Sequence, residues 1–314
     1  MRCRQCSCLN GRGSGTIRTP RRAHPGRTGR GRRDGAGGAV SGRIASGWTV
    51  PFTVSHAVVA LPAVRGPLPA AAVAAGAMAP DVPLFLPGGL DYAATHAFPS
   101  LFATALPSAG VLLGVWLLLL RPAADALLPA RIASRLPRAW ARPSRPTARG
   151  ALLALAALLV GVLTHVAWDA FTHAGRLGTE LLPALAEQWG PLPGFRWIQY
   201  ASSIGGTVVL VVAGIRWLRR TEPCTAPRAG ARPGERALRR ALAATLALIG
   251  LAAVLVPVLL DGVPRDVDAL RSVVFAAITR GGAAAAVAVL LAALAVRLVR
   301  GRAGRPAATA PAAP

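Results

Sequence analysis

The sequence predicts an all-α, polytopic integral membrane protein with about five transmembrane helices plus a re-entrant or interfacial N-terminal helical hairpin. Three observations carry this. The 314 residues are 53% hydrophobic and only 15% charged, which sets the chain apart from a soluble enzyme of this size. Uncharged runs of bilayer length recur along it. Arginines crowd every second connection between those runs.

All 36 basic residues are Arg, in a sequence dominated by Ala, Gly, Pro and Leu. That bias is the mark of a GC-rich coding sequence. The net charge of +24 therefore carries no expectation of a nucleic-acid partner. Residues 1–49 are Arg- and Gly-rich, without the apolar core or small-residue cleavage site of a signal peptide, and cannot bury a core. They are expected to be a disordered head outside the native protein, with the start at Val50. Cys3, Cys6 and Cys8 lie in this head and Cys224 in an Arg/Pro-rich linker, so no disulfide framework is expected.

Between His56 and Asp81, Arg65 and the prolines 62, 67, 69 and 80 leave no uncharged run long enough to span, hence the hairpin. Uncharged runs at 101–120, 197–215 and 241–260 each match the roughly 20 residues that a bilayer core requires. A fourth, 150–168, is interrupted only by His165, and a fifth, 276–299, only by Arg280 and Arg297 near its ends. The expected organisation is a membrane domain over 50–220, a basic linker over 221–240, two further spans over 241–300 and a disordered tail over 301–314.

Orientation follows from the arginines. The 121–149 connection holds seven, 216–240 eight and 297–305 four, against two each in 170–196 and 261–275. The first three belong in the cytoplasm and the last two outside.

Beyond the head there are four histidines, 56, 96, 165 and 173, each preceded by Ser or Thr. Hydroxyls beside a His can fix the ring or cap a helix start. In T-H-V-A-W-D-A-F-T-H, His165, Asp169 and His173 stand at i, i+4 and i+8, which on a helix fall about 40° and 80° apart and share a face. Two imidazoles and a carboxylate on one stripe can hold a metal, and ionisable groups at membrane depth are costly unless paired or coordinating. The alternative role is hydrogen bonding between helices. The predicted topology brings His96 to the same outer mouth. The hairpin would return His56 and Asp81 there, which makes six candidate ligands for one or two transition-metal ions.

The motif order P-F-T-x-S-H, M-A-P-D, T-H-x-x-P-S and T-H-x-x-W-D-x-F-T-H, followed by Gln199, Ser202, Ser203 and Gly205, resembles a bacterial membrane-protein family of unknown function. That family is similar to predicted membrane-bound metal-dependent hydrolases and, distantly, to zinc-dependent phospholipase C. The resemblance covers 50–218 and implies His56, Asp81, His96, His165, Asp169 and His173 as metal ligands. The later His-x-x-x-Glu of the phospholipases has no counterpart.

Two function classes follow. The first is a zinc-type hydrolase of the cell membrane, with manganese as the alternative metal. It would act on an ester or phosphoester, lipid-derived or small, with Asp169, Glu180 or Glu187 as general base. The second is a non-enzymatic protein that binds a metal, or haem through His96 and His165, or acts as a carrier, although internal repeats of broken helices are not evident.

Overall fold

A computed structural model describes residues 53–86, 91–141, 147–224 and 233–303. The head and most of the tail lie outside it. Short helix α1 (Thr53–His56) passes through 3₁₀ turns at Ala57–Ala60 and Pro62–Arg65 before α2 (Ala70–Met78), which continues as a 3₁₀ stretch, Ala79–Phe85. Pro69 ends the extended approach and starts α2, and Pro83 tightens its continuation. Next come α3 (Tyr92–His96), then α4 (Ala105–Val115) and α5 (Arg121–Leu127) joined by a π-turn, and α6 (Ala130–Ala133). The remaining elements are α7 (Ala148–Thr172), α8 (Leu177–Leu181), a two-stranded hairpin of β1 (Gln188–Trp189) and β2 (Leu192–Pro193), α9 (Gly194–Arg220), α10 (Pro233–Asp261), α11 (Val267–Ala276) and α12 (Gly282–Ala303).

Among the described residues, five helical stretches are long and apolar enough to cross a membrane: Ser100–Leu127, Ala148–Thr172, Gly194–Arg220, Gly234–Asp261 and Val267–Gly301. The protein is thus a multi-pass membrane protein. Each stretch contains one predicted span and outruns it. A helix continues until a residue denies it a hydrogen bond or a cap closes it, whereas the uncharged run stops at the first Arg. Hence most of the expected 261–275 loop is helix: Gly262 takes a left-handed φ of 84°, and Asp266 caps α11 by accepting from the Ala269 amide. Likewise, residues 233–240 of the expected linker form the first turns of α10.

The N-terminal segment is short, as expected, and α2 is buried among the longer helices. It packs between α7 and α4, with Ala72, Ala77 and Ala79 fully enclosed. Two glycines permit this. A Cβ on Gly76 would strike the Leu158 carbonyl, and one on Gly161 would strike the Val73 carbonyl and the Gly76 Cα. Small residues let helix backbones meet in lipid, where dispersion and not water exclusion holds them. Val73, Leu101, Ala105, Leu158 and Val162 complete this core. A second contact joins α5 to α12 through Ala123, Ala126, Ala293 and Val296. Beside it, Arg300 donates to Glu235 at 2.8 Å and to Asp125 at 3.1 Å, tying α12 to α10 and α5.

Candidate metal centre

Helix α7 is a run of Ala, Leu and Val started by the Thr147 side chain, which accepts from the Gly150 amide. Its last turns hold His165 and Asp169 one helical turn apart on the face turned towards α2. The Gly76–Gly161 crossing places the end of α2 against that face, so the following 3₁₀ stretch delivers Asp81. From the short α3 comes His96, and from the end of α1 comes His56.

Asp81, His96, His165 and Asp169 are all buried, and one ligand atom from each lies within 4.8 Å of the others. His96 Nε2 and His165 Nε2 are 3.3 Å apart. Each stands 3.4 Å from Asp169 Oδ2, and they stand 3.9 and 3.5 Å from Asp81 Oδ1. A tetrahedral ion with bonds of 2.0–2.1 Å separates its ligands by about 3.3–3.4 Å. Three of these five separations fall at that value and a fourth is within 0.2 Å of it. These four residues can hold a metal ion.

The outer nitrogens decide which way the lone pairs point. His165 Nδ1 is 2.7 Å from the Ala77 carbonyl, which can only accept, so the ring donates there. His96 Nδ1 meets the Tyr92 carbonyl at 3.0 Å and the Thr95 hydroxyl at 3.1 Å. The single Thr95 proton is directed to the Pro80 or Tyr92 carbonyl, each 2.8 Å away, so Nδ1 is the donor here as well. With both rings neutral, two Nε2 lone pairs face each other and two carboxylates. Acceptors alone converge at the centre, and only a cation or an added proton relieves that.

The expected hydroxyl support is present in part. The Thr95 and Thr172 hydroxyls each reach the Nδ1 of the following His at 3.1 Å. Thr164 instead bonds back to the Val160 and Gly161 carbonyls of its own helix, and Ala77 takes the role expected of it. Thr53 donates to Asp81 Oδ2 at 2.8 Å, which holds that carboxylate's other oxygen towards the histidines.

His56 and His173 flank the four. His56 stacks on His165 with ring centroids 4.0 Å apart and lies 3.7 Å from Asp169 Oδ1. His173 does not continue the helical stripe: α7 ends at Thr172, and His173 has extended backbone (φ −129°, ψ 142°). Its ring turns back regardless, with Nδ1 3.7 Å from Asp169 Oδ2 and 3.2 Å from the Asp169 carbonyl. Gln199, on α9, sets its amide nitrogen 3.3 Å from His173 Nε2, and its own buried Oε1 has no hydrogen-bond partner among the described residues. Burial lowers the pKa of His173 and takes that of His56 down to about 4, so both rings are neutral at pH 7.

Tyr92 was not singled out from the sequence, although it lies within the D-Y-A-A-T-H segment. Its ring packs on His96 at 4.1 Å, and burial, followed by the Asp81 and Asp169 carboxylates, raises the pKa of its phenol. Glu180 and Glu187, by contrast, are exposed. A haem between His96 and His165 does not fit: a porphyrin cannot lie between nitrogens 3.3 Å apart that are already bracketed by two carboxylates.

A family model for a domain of unknown function, DUF4184, matches residues 50–294. The chain belongs to this family. The DUF4184 match takes in every residue of the cluster and all but the end of the last membrane helix. No curated protein and no solved structure matches the chain.

Proposed function

We propose that this DUF4184 protein is a membrane-embedded, metal-dependent hydrolase of an ester or phosphoester, with zinc the favoured ion and manganese the alternative. The observation that supports it is the convergence of two imidazole lone pairs and two carboxylates at the spacing of a tetrahedral ion's ligands. An outer-face position for this end of the helices is supported by positive-inside counting, because the Arg-rich connections leave from the opposite ends of α5, α7, α9 and α10.

His96 and His165 would supply Nε2, each ring held by a backbone carbonyl at Nδ1, and Asp81 and Asp169 would supply one oxygen each. When bound, the metal supplies Lewis-acid polarisation and water activation. Asp169 keeps its second oxygen outside the four-atom cage, towards His56, where it can accept a proton as a general base. His56 and His173 would then add ligands on the far side of Asp169 or relay that proton.

A second reading, a metal-binding protein without catalysis, is favoured by one observation. Four protein ligands complete a tetrahedral shell, as in sites that hold a metal without keeping a position open. The same preparation separates the two. Full-length protein in detergent is analysed for bound metal, then assayed on carboxylic-ester and phosphoester lipids in mixed micelles beside His165→Ala and Asp169→Asn. Metal-dependent cleavage lost in both variants supports the hydrolase. Stoichiometric metal without cleavage supports the binding protein, and wild type without metal sinks both.

A further inference from the structure

A cavity lies away from the His/Asp cluster, between the end of α10 and the α11–α12 helix. Its volume is about 760 Å³. The walls are apolar, with Val256, Leu260 and Val273 among them, yet Arg265 and Arg280 also line it. Arg280 lies within the membrane-crossing stretch Val267–Gly301, in a π-turn over Ala277–Gly281. Such turns widen a helix and recur at functional positions.

The described Arg–carboxylate pairs involve Arg271 and Arg300, and neither Arg265 nor Arg280 takes part in one. Arg280 is exposed in a stretch apolar enough to cross a membrane, where an arginine is costly unless its head reaches water or pairs with an anion, and the abundant anion at a membrane surface is a lipid phosphate. Guanidinium matches phosphate through paired N–H donors. Two carboxylates, Asp261 and Asp266, share the lining, and Asp266 is committed to capping α11. The formal charge is thus balanced, and recognition must come from direct contact with Arg280 and not from a diffuse positive field.

We propose that this cavity is a phospholipid site, with the headgroup phosphate on Arg280 and the chain-bearing glycerol against the apolar wall. The segment that follows the cavity touches the segment that carries Asp81. Gly282, directly after the π-turn, packs against Phe85, and Phe85 ends the 3₁₀ stretch that carries Asp81. The site stands independently of any hydrolase activity, because retention and not turnover is read.

The test uses full-length protein in detergent doped with dioleoyl phosphatidylglycerol or with dioleoylglycerol, which has the same chains and no phosphate. Retained lipid is counted by native mass spectrometry. Wild type should keep the phospholipid at least tenfold better than the diacylglycerol, R280Q should lose that preference and R280K, a point charge without the paired donors, should keep only part of it. Ala269→Trp, which puts an indole into the cavity beside its apolar wall and leaves both arginines in place, guards against a misfolded R280Q and should also weaken phospholipid retention. Equal retention of the two lipids, or undiminished phospholipid on R280Q or on the Trp variant, would overturn the proposal. Inorganic phosphate alone matching the thermal stabilisation given by phosphatidylglycerol would make this a free-anion site, which also overturns it.

Discussion

His165 on α7 donates from Nδ1 to the Ala77 carbonyl near the end of α2, 88 residues earlier in the chain, across 2.7 Å. The bond forms only because α2 and α7 touch backbone to backbone at Gly76 and Gly161. A methyl at either glycine must push the helices apart, and Asp81 moves with α2. Gly161→Ala should therefore destabilise the protein by about 1–3 kcal/mol and lower bound metal together with it. Thermal unfolding and metal analysis of one preparation check this. Full metal in a less stable protein would show that the crossing and the site are separable.

Changing His96, His165 or Asp169 to Ala removes an atom that no neighbour replaces, so bound metal should fall steeply. Removing the hydroxyl in Thr95→Val deletes a contact to a ring nitrogen of the cluster, and affinity should drop on the order of 10- to 100-fold. Thr164→Val should leave affinity unchanged, because its hydroxyl bonds only its own helix. Leu163→Ala, on an exposed part of α7, should be equally silent. Titration of apo protein with zinc or manganese separates the three classes. A Thr164→Val loss as large as that of Thr95→Val would contradict the assigned bonds.

The membrane spans and the pairing of His165 with Asp169 were legible in the sequence because apolar run length and helical offset are one-dimensional signals. The offset of four that pairs His165 with Asp169 held through the fold. The offset of eight did not extend to His173, because the helix ends at Thr172 and no pattern in A-F-T-H-A-G marks that residue as the last. Thr164 looked like the partner of His165 by adjacency, yet a side chain on a helix meets residues three or four away, and the actual partner is a carbonyl on another helix. Backbone partners carry no sequence signature. The Gly76–Gly161 crossing was hidden for a related reason: two glycines 85 residues apart give no local sign that they meet.

His56 ionises near pH 6.5 when exposed and near 4 in the folded protein, with burial the leading cause. A depressed folded pKa means that the stability gained by keeping the ring neutral is present above pH 6.5 and is lost as pH falls through about 4. The shift of His173 has the same direction. Metal-free protein should therefore melt at progressively lower temperature between pH 6.5 and 4, and His56→Gln should flatten that dependence. An unchanged slope in the variant would place the titrating group elsewhere.

The final prediction concerns sidedness, on which the outer-face assignment of the site depends. Gly178 lies in the connection after α7 but is buried, and a Cβ there would meet the Ala170 carbonyl. Glu187, exposed in the same connection beside the β-hairpin, accepts a cysteine without repacking. At the opposite ends of the helices, the native Cys224 follows α9 and is itself exposed. In a background free of the other cysteines, an impermeant thiol reagent should label Glu187→Cys in intact cells and reach Cys224 only after the membrane is opened. Because both probes report on one bundle, they must exchange together. If Cys224 is labelled in intact cells and residue 187 is not, the cluster of Asp81, His96, His165 and Asp169 faces the cytoplasm, and any substrate must approach from the inner leaflet.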